Sequence, residues 1–290
     1  MWKRSKIPFI RNQAGRPLIM AHRGNSSEVP ENTLEAFKDA HDMGSVDCIE
    51  TDVHLTKDEE FVFFHDPKVD RTTNAKGRIA DFTLAELKDL DAGYKFMNEK
   101  SEYPFRGKGF KIQSVKDILP QFKDIKFNMD IKSKDPRAPV LLSKLLDDLD
   151  ANERVMVGSF HKNQVYKFRE VSDIPTSASI NEVWQFRKAA KRWIKKHPGE
   201  TPGKFNQEEI FGEKLAYHAL QIPEKLLFLK VILGPAFIQF AHAVDIAVMI
   251  WTINERDEMK RLLEWGADGI FTDKPALLIE VMDEMKDQFK

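Results

Sequence analysis

Eight short runs of apolar or β-branched residues recur along the chain, at 18–21, 48–54, 126–131, 155–159, 176–180, 217–221, 247–252 and 269–272, with helical patterns between them. That alternation is the mark of βαβ units and a parallel sheet. In a chain of 290 residues, closing eight such strands on themselves is more economical than building two domains, because a barrel of this kind takes ~250 residues. The expected fold is a (β/α)8 barrel, the TIM barrel, as one domain over residues 1–290. Helices are expected at 33–43, 115–122, 138–150 and 255–265; the first opens on Thr33 as a cap and the last stops ahead of Gly266.

Residues 61–65 read as a further strand, but only Thr56 to Glu60 separate it from the run before. That is too short for a parallel crossover, so it folds back as a hairpin. Residues 66–113 carry no strong period and many Gly, Asp and Lys. They are expected to form a small lid-like insertion after the second barrel strand, at the mouth.

Charge removes one class of function. With 45 basic and 46 acidic residues the net charge is −1, and no nucleic-acid-binding module is recognisable, so no nucleic-acid partner is expected. Cys48 is the single cysteine, which excludes an intramolecular disulfide and fits a reducing compartment. The basic residues 1–6 lead into an apolar run too short for a secretion signal, so a cytoplasmic location is expected. The most apolar stretch, 226–251, is interrupted by Lys230, Pro235, His242 and Asp245 and reads as a buried helix and strand rather than a bilayer span.

The chemistry sits at strand ends. A period of two puts Glu50 and Asp52 on one face of their strand, opposite Ile49, Thr51 and Val53. Asp130 and Lys132 share a face opposite Phe127, Met129 and Ile131 in the same way. Apolar residues then face the helices and charges face the barrel axis. Carboxylates packed without a counter-charge are costly, and a cation is the natural compensation. All-oxygen ligation favours Mg²⁺, Ca²⁺ or Mn²⁺ over zinc. Each pair read alone fits a plain ion-pair network about as well; two pairs in one barrel favour the metal. His22-Arg23-Gly24 follows the first strand at its carboxyl end, where barrel enzymes carry their catalytic groups. His22 suits proton transfer and Arg23 suits a phosphate oxygen. A lone histidine there is more often structural, but His65-Asp66 ends the hairpin strand with a second one. Two histidines beside a carboxylate cluster suit acid and base roles in a displacement at phosphorus.

These fragments, with Pro30-Glu31-Asn32-Thr33, Thr56-Lys57-Asp58, Arg71-Thr72-Thr73, Ser159-Phe160, Trp251-Thr252-Ile253-Asn254 and the run from Gly266 to Pro275, stand in the order of the glycerophosphodiester phosphodiesterase family's motifs. The chain resembles that family over nearly its whole length. The resemblance implies a (β/α)8 barrel and hydrolysis of a small-molecule glycerophosphodiester to glycerol 3-phosphate and an alcohol. It implies a divalent metal, Mg²⁺ or Ca²⁺ or else Mn²⁺, on Glu50 and Asp52, with Asp130 as third ligand and Glu31 beside them. It also implies His22 and His65 as acid and base, Arg23 and Lys132 on the phosphate, Asn32 completing the pocket, and Trp251 as an apolar wall. The family's position at Asp130 is usually Glu, one methylene longer.

Two further stretches point at lipid. Residues 187–196 hold six basic residues and no acid, with Trp184, Phe186, Trp193 and Ile194 interleaved, and 226–232 is apolar. Both leave the catalytic end of the barrel. They suggest peripheral membrane contact through 184–196 and 226–232 and a lysophospholipid substrate, hence a lysophospholipase D. The plainer alternative is a solvated helix face and a buried helix. Outside this reaction class stands a non-catalytic phosphoryl-ligand binding module, against which the two histidines speak; a phospholipase C-like or sphingomyelinase D-like barrel is a third reading. The oligomeric state is left open.

Overall fold

The computed structural model describes residues 7–289; the basic segment at 1–6 lies outside the described residues. The elements, in order, are β1 (Leu18–His22), α1 (Leu34–Asp42), β2 (Cys48–Leu55), β3 (Phe61–Phe63), α2 (Leu84–Lys88), α3 (Val115–Ile118), β4 (Lys126–Ile131), α4 (Ala138–Asp148), β5 (Val155–Gly158) and α5 (Lys162–Val171). There follow α6 (Ile180–Lys196), α7 (Gln207–Phe211), β6 (Ala219–Ile222), β7 (Lys225–Leu226), β8 (Leu229–Lys230), α8 (Pro235–Ala243), β9 (Ala247–Ile250), α9 (Arg256–Glu264), β10 (Gly269–Thr272) and α10 (Pro275–Glu284).

Seven strands run parallel in the order β5-β4-β2-β1-β10-β9-β6. Thr176 bridges Val157 of β5 and Ser177 bridges Ala219 of β6, both parallel, so this short segment fills the eighth position and closes the barrel. The strand expected at 176–180 is thus reduced to two bridges, since α6 already begins at Ile180 under its Ser179 cap. β3 pairs antiparallel with β2, as a short connection requires. The helix expected over 115–122 ends early, at Ile118, and Pro120 sits in a tighter turn over Leu119–Gln121.

The alternation of each strand divides the core in two. Outward residues such as Ile49, Val53, Phe127, Met129 and Ile131 pack against Phe37 of α1, Leu142 of α4 and Phe168 of α5. Ile19, Leu220, Val248 and Ile270 do the same against α6, α8, α9 and α10. Inward residues of the amino-terminal half, among them Met20, Cys48, Met156, Met249 and Phe271, fill the barrel floor, and Phe9 and Ile10 close it from below. One step further along the same faces the side chains turn polar: Met20 gives way to His22, Cys48 to Glu50 and Asp52, Phe271 to Asp273. The floor is sealed and the charges collect at the carboxyl ends.

Residues between β3 and α3 have a small core of their own, in which Val69, Ile79, Leu87 and Ile112 pack on Val62 and Phe64. The ring of Phe63 meets Phe37 edge-on at 5.2 Å, which fixes β3 to the barrel wall and with it the position of His65. Residues 226–230 differ from the expected buried helix: Leu226 and Leu229 pair across a two-residue turn in an exposed hairpin, while Val231 and Ile232 behind it are buried. Among the described residues no helix is long and apolar enough to cross a membrane.

Candidate active site

The register brings the charged residues into layers. His22 pairs with Glu50, Glu50 with Asn128, and Asp52 with Asp130 on neighbouring parallel strands. Beyond β1 the chain bends sharply: Arg23 and Asn32 are left-handed at φ 59° and 58°, and Gly24 follows at φ 86°. A Cβ on Gly24 would lie 2.6 Å from the backbone of Ala36, so only glycine fits there. Two non-glycine residues held at positive φ cost about 1–3 kcal/mol each. The turn is closed by the Asn32 amide donating to the Arg23 carbonyl at 3.0 Å. It directs the Arg23 guanidinium at Asp52 (3.3 Å) and Glu31 (2.9 Å).

Each histidine is oriented by a carboxylate. His22 Nδ1 lies 2.6 Å from Asp273 Oδ1, which also accepts from Ser26 Oγ at 2.9 Å, while Asn254 Nδ2 donates to the other oxygen at 2.7 Å. With Asp273 ionised, Nδ1 carries the proton and Nε2 faces Glu50, 3.8 Å away. Burial alone would lower the His22 pKa, but Glu50 and the hydrogen bond His22 donates to Asp273 outweigh it and hold it above the ordinary value. Burial would raise Asp273, yet its bond with His22 brings it down to about 2. His65 Nδ1 meets Asp66 Oδ1 at 2.6 Å. Arg71 donates to Asp66 at 2.7 Å and to both oxygens of Glu31 at 2.8 and 2.6 Å. His54, buried and held neutral chiefly by that burial, donates from Nε2 to the His65 carbonyl at 3.1 Å.

Lys132 stands between Asp130 (2.8 Å) and Asp52 (3.1 Å), with the Phe160 ring 4.8 Å from its ammonium. Burial disfavours its charge, but the two aspartates win and the pKa is raised. Asp52 is likewise buried, and Lys132 and Arg23 keep it below the usual carboxylate range. Glu50 is pushed up to about 7 by burial first and Asp52 second. Asp130 is raised by burial despite Lys132.

These groups face a cavity of ≈ 480 Å³ at the carboxyl ends of the strands. His22, Arg23, Glu50, Asp52, His65, Asp130, Lys132 and Trp251 all line it. Asn32 and Glu31 do not: Asn32 accepts from Thr51 Oγ1 at 2.7 Å and donates to Asp52 at 3.3 Å, and Glu31 is taken up by Arg23 and Arg71. Both support the lining from behind. The opposite wall is apolar, with Trp251 edge-on to Phe160 at 5.7 Å and Trp184, Leu226 and Val231 beyond. Sequence reasoning named Asp66, Arg71 and Asp273 only inside motifs and gave them no role. The signal was the inward period that carries Phe271 to Asp273, and the adjacency of His65 to Asp66.

Whether the carboxylates suit a divalent cation is decided by what they lack. Glu50 Oε2 and Asp130 Oδ1 are buried with no hydrogen-bond partner. Anionic oxygens left without a donor are what a hard, oxygen-seeking cation satisfies, so the donor chemistry of Glu50, Asp52 and Asp130 fits Mg²⁺, Ca²⁺ or Mn²⁺. In the arrangement present, no three His, Cys, Asp or Glu side chains among the described residues converge closely enough to hold a metal ion. Lys132 occupies the space between Asp52 and Asp130, and Glu31 would have to release its two arginines.

Residues 22–277 match the Glycerophosphoryl diester phosphodiesterase family. A glycerophosphodiester phosphodiesterase of Caldanaerobacter subterraneus is 33% identical, the match covering 92% of this chain and 98% of that one. A human protein named Lysophospholipase D GDPD1 is 29% identical over 94% of this chain and 90% of its own. In fold, the chain is similar to an Oleispira antarctica phosphodiesterase solved in complex with the product sn-glycerol-3-phosphate, with TM-score 0.70 and 23% identity over 92% of this chain and 97% of that one.

Proposed function

We propose, from the premise that this chain belongs to the glycerophosphoryl diester phosphodiesterase family, that it hydrolyses glycerophosphodiesters to glycerol 3-phosphate and an alcohol, with His22 and His65 moving the protons. The observation that carries the reading is the pair of histidines, each held by a carboxylate at 2.6 Å, lining one cavity with Arg23 and Lys132. The two cations hold the non-bridging phosphate oxygens, as charge-assisted donors do. Asp52 fixes both of them, Asn32 fixes Asp52, and Glu31 links Arg23 to Arg71.

The carboxylates behind the histidines are not equivalent, and this supports giving the two different roles. Asp273 is supported by the neutral Ser26 and Asn254, so its charge acts undiminished on His22. Asp66 shares its charge with Arg71. His22, held above its ordinary pKa, gives its proton from Nε2 to the departing alkoxide; His65 takes a proton from the attacking water, whose oxygen bonds to phosphorus. One P–O bond forms as the other breaks, and the alcohol leaves with the proton from His22. A divalent cation on Glu50, Asp52 and Asp130, as Mg²⁺, Ca²⁺ or Mn²⁺, would supply further positive charge against the phosphoryl oxygens. The same proposal takes residues 1–290 as a single domain with 66–113 inserted at its mouth.

The test is choline release from glycerophosphocholine by the purified protein, in EDTA and after adding back each cation. We expect release that a divalent cation restores and that His22→Ala lowers by ~10²–10⁴-fold, the usual share of a general acid. Absence of His22-dependent release from glycerophosphocholine and from its ethanolamine, glycerol and inositol counterparts would overturn hydrolysis in favour of a phosphoryl-ligand binding module.

A second substrate reading has its own observation. A choline- or glycerol-sized headgroup leaves the wall of Trp184, Leu226 and Val231 uncovered, whereas an acyl chain would cover it. A lysophospholipid, as the human relative's name states for that protein, suits this wall. Choline release chiefly from lysophosphatidylcholine would select it.

A further inference from the structure

Bulky exposed residues are scattered singly over most of the surface, which is ordinary. One place differs. Leu226, Leu227, Phe228 and Leu229 are consecutive and all exposed, Leu227 at 88% and Phe228 fully. Leu227 sits at φ 53°, a left-handed conformation that a branched side chain adopts at a cost and that hairpin turns normally give to Asn, Asp or Gly. Neither packing nor turn chemistry accounts for leucine and phenylalanine there, and such local conflicts concentrate at functional sites.

The base of this hairpin is held firmly while the tip is not. Glu224 pairs with Arg261 at 2.8 and 3.0 Å, and its carbonyl accepts from Val231 at 2.9 Å. Arg187 of α6 donates to the Lys230 carbonyl at 2.8 Å. The tip is continuous with the cavity rim, where Leu226, Ile180 and Phe160 are lining residues that are also exposed. Lys225 and Lys230 flank the apolar tip, and no acid occurs from 225 to 232.

We propose that the β7–β8 hairpin is a membrane-docking element, inserting Leu227 and Phe228 among lipid acyl chains while Lys225 and Lys230 meet anionic headgroups, and so placing the cavity mouth against the bilayer. An apolar wedge with ammonium groups one residue behind it matches the layering of a bilayer interface. The exposed rim then offers a lipid an apolar path from the bilayer to the phosphate-holding residues. That use of the hairpin rests on the phosphodiesterase reading; the docking does not. The long basic helix is not part of the element. Trp193 of α6 packs inward on Phe205 and Phe240, and Arg192 lines a separate depression with Glu182 and Glu213.

The test is flotation with phosphatidylcholine vesicles, pure or with about 30 mol% phosphatidylglycerol as the anionic component. The full chain is expected to float with the anionic vesicles. Leu227→Ser/Phe228→Ser should weaken this at least about 10-fold, and Lys225→Gln/Lys230→Gln should weaken it on anionic vesicles alone. Lys191→Gln/Lys195→Gln/Lys196→Gln should leave it unchanged. Hydrolysis of dissolved glycerophosphocholine should be the same in all three variants, so its failure in the wild type would sink the activity without touching the docking. Equal flotation after Leu227→Ser/Phe228→Ser, or no flotation of the wild type, overturns the proposal. So does a wild-type dimer by light scattering that this double variant makes monomeric, which would make the hairpin a contact between two copies.

Discussion

The two walls of the cavity are built on opposite terms. One, from β1, β2 and β4, is a lattice of buried charges in which nearly every carboxylate answers to a cation: Asp52 to Arg23 and Lys132, Glu31 to Arg23 and Arg71, Asp66 to Arg71. The other, from Phe160, Trp184, Leu226, Val231 and Trp251, has almost no polar requirement. The charged wall is expensive to build and fails if one partner is removed, whereas the apolar wall can lose a side chain and lose only contact area. The first is suited to holding a phosphate and moving protons, the second to choosing what is attached to it.

The largest effect that would sharpen this contrast is at Lys132. Replacing it with Met leaves Asp52 and Asp130 facing each other without their shared cation, and unpairing a buried charge costs about 3–5 kcal/mol. We expect Lys132→Met to lower the stability in EDTA by that order in chemical denaturation, with a divalent cation recovering a large part. Little change would mean that the charged wall is not held by its pairing.

Next comes the pH dependence of the metal-free protein. Glu50 titrates at about 7 in the folded chain, from an ordinary value of 4.5. A pKa raised by folding stabilises the protein below the unfolded value, and that stability is lost as pH rises through the folded one. His22, also raised, acts in the same direction. In EDTA the Glu50 contribution, roughly 3 kcal/mol, should therefore be lost between about pH 5 and pH 7, while His54, held neutral by burial, acts in the opposite direction over the same interval. Glu50→Gln should flatten the profile. A wild-type profile that falls no more steeply than that of Glu50→Gln over that interval would contradict the raised pKa of the buried Glu50 carboxyl.

A smaller effect separates the two histidines within the charged wall. Asp273→Asn removes the charge paired with His22 Nδ1 and presents an amide that can stabilise the wrong tautomer. We expect kcat to fall about 10–100-fold, with the alkaline limb of the pH–rate profile moving to lower pH. Asp66→Asn should leave that limb in place, since Asp66 is paired with the base and not with the acid. Equal displacement by both variants would erase the assignment of acid and base.

The charged wall was legible in the sequence because strand period decides it. Glu50 with Asp52 and Asp130 with Lys132 sit two apart on strands whose other face is apolar, and the bounds of β4 and β10 fall where the runs put them. The supports were less legible, since Asp273 reaches His22 across 251 residues of sequence and no local pattern announces the pair. Asn32 and Glu31 were placed in the pocket on motif alone, and their left-handed turn sets them one layer behind it. The apolar wall was legible only in part: Trp251 came with the family resemblance, and 184–196 and 226–232 read either as lipid contact or as a solvated face and a buried helix. This wall is made of a hairpin, a helix start and loop residues, and a Leu-Leu-Phe-Leu run reads alike whether it is packed in a core or held out on a hairpin, because periodicity measures pattern and not exposure.

The smallest effect tests that apolar wall where it meets the barrel. Trp184 lines the cavity, and the Arg187 guanidinium that holds the hairpin's Lys230 carbonyl lies 5.6 Å from its ring. Trp184→Ala removes contact area without leaving a charge unpaired. If the wall takes an acyl chain, KM for lysophosphatidylcholine should rise about 10-fold, the size of one lost large apolar contact, and KM for glycerophosphocholine several-fold less, with kcat for both near the wild-type value. A fall in kcat for both substrates would mean that the indole positions the phosphate-holding residues, and the division of the cavity into a wall for chemistry and a wall for selection would no longer hold.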